Sequence, residues 1–235
     1  MARAPAQLDA TVALQGLRAA VSGEVLMAAD PGYDQARTVW NALIDRRPAV
    51  IVRATSPQDV SAAVRFASSE GLAVSVRGGG HNVAGHAVYD GGVMIDLSAM
   101  RGVSVDPIAR RALVQGGAIW RDVDAATQAF GLATPGGLIS GTGVGGLTLS
   151  GGIGWLRSRH GLTIDNLASV VVVLADAPRP VLGPEGRRRQ LRDCRNVRIR
   201  TASDRSPGRL LGASLSNRGR RRSDPILARL SGGQG

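Results

Sequence analysis

The order of apolar and polar residues over 49–76 predicts a strand, a helix and a second strand. The apolar run 49–52 predicts the first strand. Ser56 followed by Pro57 predicts a helix start, because serine caps the first turn and proline suits its first position. Residues 72–76 predict the second strand. The unit is typical of mixed α and β proteins.

Apolar patterning continues beyond this unit. It predicts further strands at 93–97, 103–105, 112–114 and 169–174, and one helix at 118–130. Residues 1–47 are predicted to be mostly helical, with an apolar face of Leu8, Val12, Leu14 and Leu17. We therefore divide the chain into a helical lead-in at 1–47, a domain at 48–176 and a tail at 177–235.

Composition narrows the class of protein. The chain has 235 residues, 43% of them apolar and 20% charged, which is typical of a globular protein. No apolar run is long enough for a membrane span, and the N-terminus has no apolar signal core, so we expect a cytoplasmic protein. The single cysteine, Cys194, excludes an internal disulfide and a multi-cysteine zinc site.

Charge is distributed unevenly along the chain. Residues 1–176 contain 14 Arg and 14 acidic residues, whereas the last 59 contain 15 Arg and 4 acidic residues, which accounts for the whole net charge of +11. All seven aromatic residues lie before the tail. The tail is therefore compatible with a disordered basic extension or with nucleic-acid contact.

Two glycine clusters are candidates for ligand binding. Residues 78–80 follow a predicted strand and precede His81 and Asn82, and nine of the nineteen residues at 136–154 are glycine. Glycine-rich turns after strands bind phosphates through their backbone N–H groups. Taken alone, the second cluster is as compatible with a tightly turning loop as with a phosphate-binding site. Together they favour a large ligand with a pyrophosphate, although the chain lacks lysine and so has no P-loop.

His81 is the one candidate for cofactor chemistry in the first cluster. Its imidazole is compatible with a structural role or with a nucleophile toward an electrophilic cofactor, and the pattern alone does not separate the two. His86 and His160 indicate no metal site, because no acidic third ligand stands near His81 and His86.

A set of ordered segments resembles one known family. The segments are PAVIVRATSPQDVSAAVRFA, VSVRGGGHNVAG, GGVMIDLSAMRGVSVD, VQGGAIWRDVDAAT and PGGLISGTGVGGLTLSGGIGWLRSRHGLTIDNL. They resemble the flavin domain of FAD-linked oxidases of the berberine bridge enzyme-like, PCMH-type family. The resemblance implies an α+β, vanillyl-alcohol-oxidase-like FAD-binding domain, here incomplete and followed by a disordered basic tail.

The resemblance also implies a cofactor site. In the family, the histidine of the Arg-x-Gly-Gly-His motif is joined covalently to the flavin 8α-methyl, and this position is His81. A second link through cysteine, found in some members, falls on Ile139 and is therefore not expected. The implied cofactor-binding residues are Arg77, Gly78, Gly79, Gly80, His81, Asn82, Gly137, Ser140, Thr142, Gly143, Gly146, Gly151, Gly152, Gly154, Trp155 and Asn166.

Family resemblance implies an oxidase in which an organic small molecule gives a hydride to FAD and dioxygen reoxidises the flavin. No nucleic acid, membrane or metal is expected as a partner. The acid–base residues of the family belong to a substrate domain after the flavin domain, and this chain ends before it. We expect no catalytic residue here. The alternatives to an oxidase are a non-catalytic FAD-binding module and, less favoured, a basic nucleic-acid-associated protein.

The tail is compatible with a shifted reading frame. Starting one base later, the codons of residues 178–195 permit PDLFWALRGGGGNFGIV, and those of residues 197–207 permit FEFALHPIGP. Both resemble the family's continuation. We infer a frameshift near Asp176, and we expect the strand at 169–174 to have an unpaired edge.

Overall fold

The structure of the chain is a computed structural model that describes residues 10–173, 181–183, 194–200 and 202–203. The helices are α1 Ala10–Ala20, α2 Tyr33–Ala36, α3 Pro57–Ser69, α4 Trp120–Gln128, α5 Val144–Leu149 and α6 Arg157–His160, with a 3-10 turn at Thr163–Asn166. The strands are β1 Glu24–Leu26, β2 Val50–Arg53, β3 Val74–Arg77, β4 Val93–Asp96, β5 Val103–Asp106, β6 Arg111–Gln115, β7 Leu132–Ala133, β8 Leu167–Val172, β9 Val181–Gly183, β10 Cys194–Arg200 and β11 Ala202–Ser203. Within these ranges, no helix is long and apolar enough to cross a membrane.

The predicted strand–helix–strand unit is confirmed as β2, α3 and β3. The Ser56 hydroxyl accepts a hydrogen bond from the Asp59 N–H at 3.2 Å, and the Asp59 carboxylate accepts one from the Ser56 N–H at 3.1 Å. This reciprocal pair satisfies backbone donors at the start of α3. Strand β4 lies between β2 and β3 and is parallel to both, so the four-stranded sheet has the order β1-β2-β4-β3.

Both faces of this sheet are buried. Val52 and Ile95 lie in a core cluster with α1 and α3 on one face. Ile51 and Met94 pack with Tyr33 on the other face. Successive side chains of a strand point to opposite faces, so a strand buried on both faces has a continuous apolar sequence. This explains why β2 appears in the sequence as an apolar run rather than as an alternating pattern.

The second sheet has five strands in the order β5-β6-β10-β8-β9, and all of its pairs are antiparallel. The predicted strands at 103–105 and 112–114 are confirmed as β5 and β6, which pair antiparallel as a hairpin. The buried indole of Trp120, together with Val123 of α4, packs against Val114 of β6. Both edges of β8 are paired, one by β10 and the other by β9, so the predicted unpaired edge is wrong.

Other parts of the prediction also need correction. Within residues 10–47, the part of the lead-in that the structure describes, helix covers only α1 and the four-residue α2, and β1 joins the first sheet antiparallel to β2. On the predicted helical face, Leu17 is buried but Val12 is exposed, and Leu8 lies outside the described residues. A three-residue strand is too short to show alternation, and its pairing with β2 decides its conformation.

The glycine-rich segment at 136–154 is also not loop throughout, since α5 lies within it. In the tail, β9, β10 and β11 are paired strands, which differs from the disorder expected there. The rest of the tail lies outside the described residues.

Asp59 links the start of α3 to the chain before β1. Its carboxylate, 1% exposed, accepts hydrogen bonds from the N–H groups of Ser22 at 2.9 Å and Thr55 at 2.8 Å, besides the one from Ser56. Burial acts to raise the pKa of this carboxyl, but these hydrogen bonds outweigh burial and hold the pKa below its ordinary value. The ionised form therefore stabilises the fold.

We expect Asp59→Asn to lower the free energy of unfolding at neutral pH by about 2 kcal/mol, because it removes a buried charged acceptor. A folded-state pKa below the unfolded one contributes stability that is present at higher pH. That contribution is lost as pH falls below about 4 and through the folded pKa. The measurement is urea unfolding of parent and variant at several pH values.

The matched control for this experiment is Asp106→Asn. Asp106 also accepts two backbone hydrogen bonds but is exposed, so its replacement should cost no more than about 0.5 kcal/mol. An Asp59→Asn variant as stable as the parent at neutral pH would contradict this account.

Candidate cofactor site

The two glycine clusters meet in the structure. We call residues 78–82 loop A and residues 136–146 loop B. A Cβ on Gly79 would overlap the backbone N of Gly143, and a Cβ on Gly143 would overlap the backbone N of Gly79. The two backbones are therefore in direct contact, and neither position has room for a side chain.

Loop A presents free hydrogen-bond donors. Within the part of the chain that the structure describes, none of the backbone N–H groups of residues 78–82 donates a hydrogen bond. Gly80 has a positive φ of 69° and uses its carbonyl to accept from the Trp40 N–H at 3.1 Å. Successive free N–H groups around a turn of this kind form a concave anion-binding site. The donor set is suited to phosphate oxygens.

Loop B is held against the start of α4. The N–H of Val144 donates to the carbonyl of Ala118 at 2.9 Å, and the N–H of Trp120 donates to the carbonyl of Thr142 at 3.0 Å. The N–H of Arg121 donates to the carbonyl of Ser140 at 2.9 Å. Helix α4 therefore fixes loop B through main-chain atoms.

The glycines of the second cluster divide into two groups. Gly137 lies on the indole of Trp120, where a Cβ would come within 2.8 Å of the ring, and a Cβ on Gly154 would overlap the carbonyl of Gly136. Gly152 is blocked in the same way by Thr163. These positions are glycine because of packing.

Gly146 belongs to the other group, since a Cβ there would meet nothing within 4 Å. Gly141 is similarly open, because its nearest contact is His81 Nε2 at 3.9 Å from the Cβ position. Gly151 is nearly open but has a φ of 105°, which favours glycine. Packing therefore does not explain the glycines at 141 and 146.

His81 belongs to loop A and its imidazole faces loop B. Its half-buried ring stacks on the indole of Trp40, with the ring centroids 5.5 Å apart and the planes inclined by 19°. Its Nε2 faces Gly141 of loop B. The imidazole is therefore adjacent to both glycine clusters.

Arg77 supports loop A from behind. Its guanidinium donates to the carbonyl of Ala36 at 2.9 Å and lies 3.5 Å from the fully buried carboxylate of Asp96, which Arg53 also approaches at 3.5 Å. Its buried Nε lies beside Gly80 and has no hydrogen-bond partner among the described residues. Arg77 thus places positive charge behind the free N–H groups of loop A.

Two predicted polar site residues have structural partners instead. The Asn82 side chain accepts from the N–H of His86 at 3.1 Å, and the Asn166 amide donates to the carbonyls of His160 and Leu162, both at 2.9 Å. Burial lowers the pKa of the His160 imidazole, and the neighbouring Arg159 lowers it further. Both asparagines hold turns.

The surface of the second cluster is apolar. Four large side chains are exposed there: Leu138, Ile139, Ile153 and Trp155. Trp155 is 79% exposed. The hydroxyl residues Ser140 and Thr142 flank the open Gly141 in the sequence. Exposed apolar surface of this kind is typical of ligand or domain contacts. Among the described residues, no group of three His, Cys, Asp or Glu side chains comes together as metal ligands.

The residue that the sequence analysis missed is Trp40. It lies in the lead-in, where the sequence analysis predicts no functional residue, and it is 41 positions from its partner His81 in the chain. No local signal marks it, because Trp40 stands in the mainly apolar run 39–44 and its partner His81 lies far along the chain.

This geometry fits FAD. Loop A supplies free N–H groups with an arginine behind them for a pyrophosphate, loop B leaves open space at two glycines, and the exposed apolar residues suit an aromatic ring system. His81 lies where the two loops meet.

Comparisons with known proteins agree with this fit. Residues 48–178 match the model of a family described as an FAD binding domain. The chain is 39% identical over 155 residues to (R)-6-hydroxynicotine oxidase of Paenarthrobacter nicotinovorans, and this match covers 66% of the chain and 34% of that protein. It is 40% identical over 166 residues to the FAD-linked oxidoreductase pgmH of Aspergillus terreus, covering 69% of the chain and 34% of that protein. The chain thus spans about a third of the length of these relatives.

Solved structures show the same fold. The crystal structure of 6-hydroxy-D-nicotine oxidase from Arthrobacter nicotinovorans superposes with a TM-score of 0.73 at 33% identity, covering 77% of this chain and 42% of that one. BBE-like 1 of the moss Physcomitrella patens has a TM-score of 0.75 at 23% identity, which shows the fold alone, over 81% of this chain and 44% of that one. The predicted α+β, PCMH-type fold is confirmed. The chain therefore belongs to the FAD-binding-domain family of FAD-linked oxidoreductases.

Proposed function

We propose that this chain carries the FAD-binding part of an oxidase that acts on an organic small molecule with dioxygen as electron acceptor. The observation that carries the proposal is the contact between loops A and B, with the His81 ring of loop A facing Gly141 of loop B. When bound, FAD supplies the redox chemistry, accepting a hydride from a substrate carbon and passing two electrons to dioxygen. The names of the relatives, a hydroxynicotine oxidase among them, support oxidation of a small organic substrate.

The chain's own residues bind and orient the cofactor. The N–H groups of residues 78–82 donate to the pyrophosphate, and Arg77 stabilises its charge from behind. The hydroxyls of Ser140 and Thr142 add donors on the side of loop B. Gly141 and Gly146 leave the space that side chains would otherwise fill.

His81 attaches the flavin covalently in this proposal. A C–N bond between the imidazole and the flavin 8α carbon replaces the imidazole N–H and one 8α C–H. The two protons and two electrons released reduce dioxygen to hydrogen peroxide, so the step balances with dioxygen as oxidant.

We further propose that the sequence after Asp176 has shifted frame and that the 235-residue chain does not turn over substrate. The family match ends at residue 178, and residues 179–235 carry the excess of arginine described above. The permitted codons in the next frame support the same conclusion.

The test of attachment is His81→Ala. We expect the parent to keep its flavin through acid precipitation and the variant to lose it, while the midpoint of thermal unfolding stays within a few degrees because His81 is only half-buried. Flavin fluorescence of the denatured protein band measures the attached fraction.

His86→Ala is the matched control for attachment, since His86 is an exposed histidine five positions away. It should keep the acid-stable flavin. Acid-stable flavin on the His81→Ala variant would contradict the assignment, and a colourless parent that does not bind added FAD would contradict the function itself.

A second test separates the two groups of glycines. Gly146→Ala should leave the thermal midpoint unchanged or raise it, because alanine favours the helix over glycine by up to about 1 kcal/mol. We expect the same variant to retain less flavin, because its methyl group enters the cofactor space. The ratio of flavin to protein absorbance and thermal unfolding measure the two effects.

Gly79→Ala is the comparison for this test. It should cost about 1–3 kcal/mol of stability through overlap with Gly143, whether or not FAD is present. Full flavin retention by Gly146→Ala would show that the space at this glycine is not used by the cofactor.

Resequencing the gene tests the frameshift. We expect the region from the codon of Leu167 through that of Pro207 to contain a change which, once corrected, continues the family sequence into a longer protein. An unchanged sequence whose product oxidises a substrate as a 235-residue chain would refute the proposed loss of turnover.

A further inference from the structure

We propose that Trp40 is a positioning residue for His81, holding the imidazole plane in the orientation that flavin attachment requires. The inference rests on the proposed covalent attachment and assigns a role to a residue outside both glycine clusters. Trp40 itself does not bond to the flavin in this proposal.

The first observation is the stack between the two rings. The centroids lie 5.5 Å apart and the planes are inclined by 19°, an offset stacked arrangement. The second side-chain torsion of histidine has a broad energy profile, so a lone imidazole would turn easily. An indole against one face restricts that rotation.

The second observation is the way the chain fixes Trp40. Its N–H donates to the carbonyl of Gly80 at 3.1 Å, directly before His81. The amide of the next residue, Asn41, donates to the carbonyl of Val83 at 2.9 Å, two positions after His81. These two bonds join the segment to the residues on either side of His81 and keep the indole beside the imidazole.

The third observation is exposure. The Trp40 side chain is 64% exposed, whereas Trp120 is fully buried in the core of the second sheet. A tryptophan with so much exposed surface contributes little to the core, so the packing of the fold does not explain its presence. Its ring contact with His81 does.

Ring orientation matters because the lone pair of an imidazole nitrogen lies in the plane of the ring. The C–N bond to the 8α carbon forms along that direction, with loss of the imidazole N–H and one C–H and with dioxygen reduced to hydrogen peroxide. Holding a nucleophile in the productive geometry raises the rate of bond formation. Trp40 supplies this restraint to His81.

The test compares the rate of covalent attachment after FAD is added to flavin-free chain. Trp40→Ala should slow attachment about two- to tenfold, the range expected for loss of an aromatic contact. Trp40→Phe keeps a stacking ring and should restore most of the rate. Leu43→Ala, at a 90% exposed position of the same segment, is the control and should match the parent.

A merely structural role predicts a different pattern. In that case Trp40→Ala would lower the thermal midpoint and the affinity for FAD together with the rate, and Trp40→Phe would not restore the rate selectively. That pattern, or a Trp40→Ala rate equal to that of the parent, would overturn the proposal.

A measurement without flavin tests the geometry itself. In proton NMR spectra the stacked indole should shift the His81 ring protons upfield, and this shift should be lost in Trp40→Ala and partly kept in Trp40→Phe. Absence of the shift in the parent would overturn the positioning role. Failure of the parent to attach FAD despite a normal shift would instead contradict the covalent attachment, and the role of Trp40 with it.

Discussion

The backbone contact between Gly79 and Gly143 is the constraint on which the site depends. Gly79 follows the last residue of β3 by two positions, so loop A is an extension of the first sheet. Gly143 is paired to Ile119 just before α4, so loop B is tied to the second sheet's core. Two main chains can approach this closely only where neither carries a Cβ. The contact therefore joins the two sheets and forms the candidate cofactor site at the same point.

Other glycines extend this contact. A Cβ on Gly78 would lie 3.1 Å from the carbonyl of Gly116, and one on Gly117 would overlap the carbonyl of Leu97, which follows β4. The loops after β3, β4 and β6 thus meet without intervening side chains. Loop A donates none of its own N–H groups to the other described residues, so these groups stay free for a ligand. The absence of side chains at these glycines therefore allows both the close packing of the loops and the access of a ligand to loop A.

Charge buried beneath the loops has a positioning effect. The carboxylate of Asp96 is fully buried and is approached by two arginines, Arg53 and Arg77. Such a cluster contributes little net stability, but removal of either arginine leaves the buried carboxylate with one cationic partner instead of two. Arg77 also bonds the carbonyl of Ala36, at the start of the segment that carries Trp40. The ion cluster is thus connected to both the loop and the residue that stacks on His81.

Local patterns in the sequence determined the elements whose signals are contained in a few neighbouring residues. Ser56, Pro57 and Asp59 specify the start of α3 because capping bonds form within one turn. The hairpin of β5 and β6 is similarly local, and the resemblance of the glycine segments identified the family.

What the sequence did not show depends on partners far along the chain: β1 is a strand only because β2 pairs with it, and β8 has both edges covered by strands that follow a break in composition. Backbone pairing does not require particular side chains, so composition is a poor guide to it. The contacts of Gly79 with Gly143 and of Trp40 with His81 join residues 64 and 41 positions apart, and only the tertiary structure decided them, because no local pattern records which backbone or ring lies opposite.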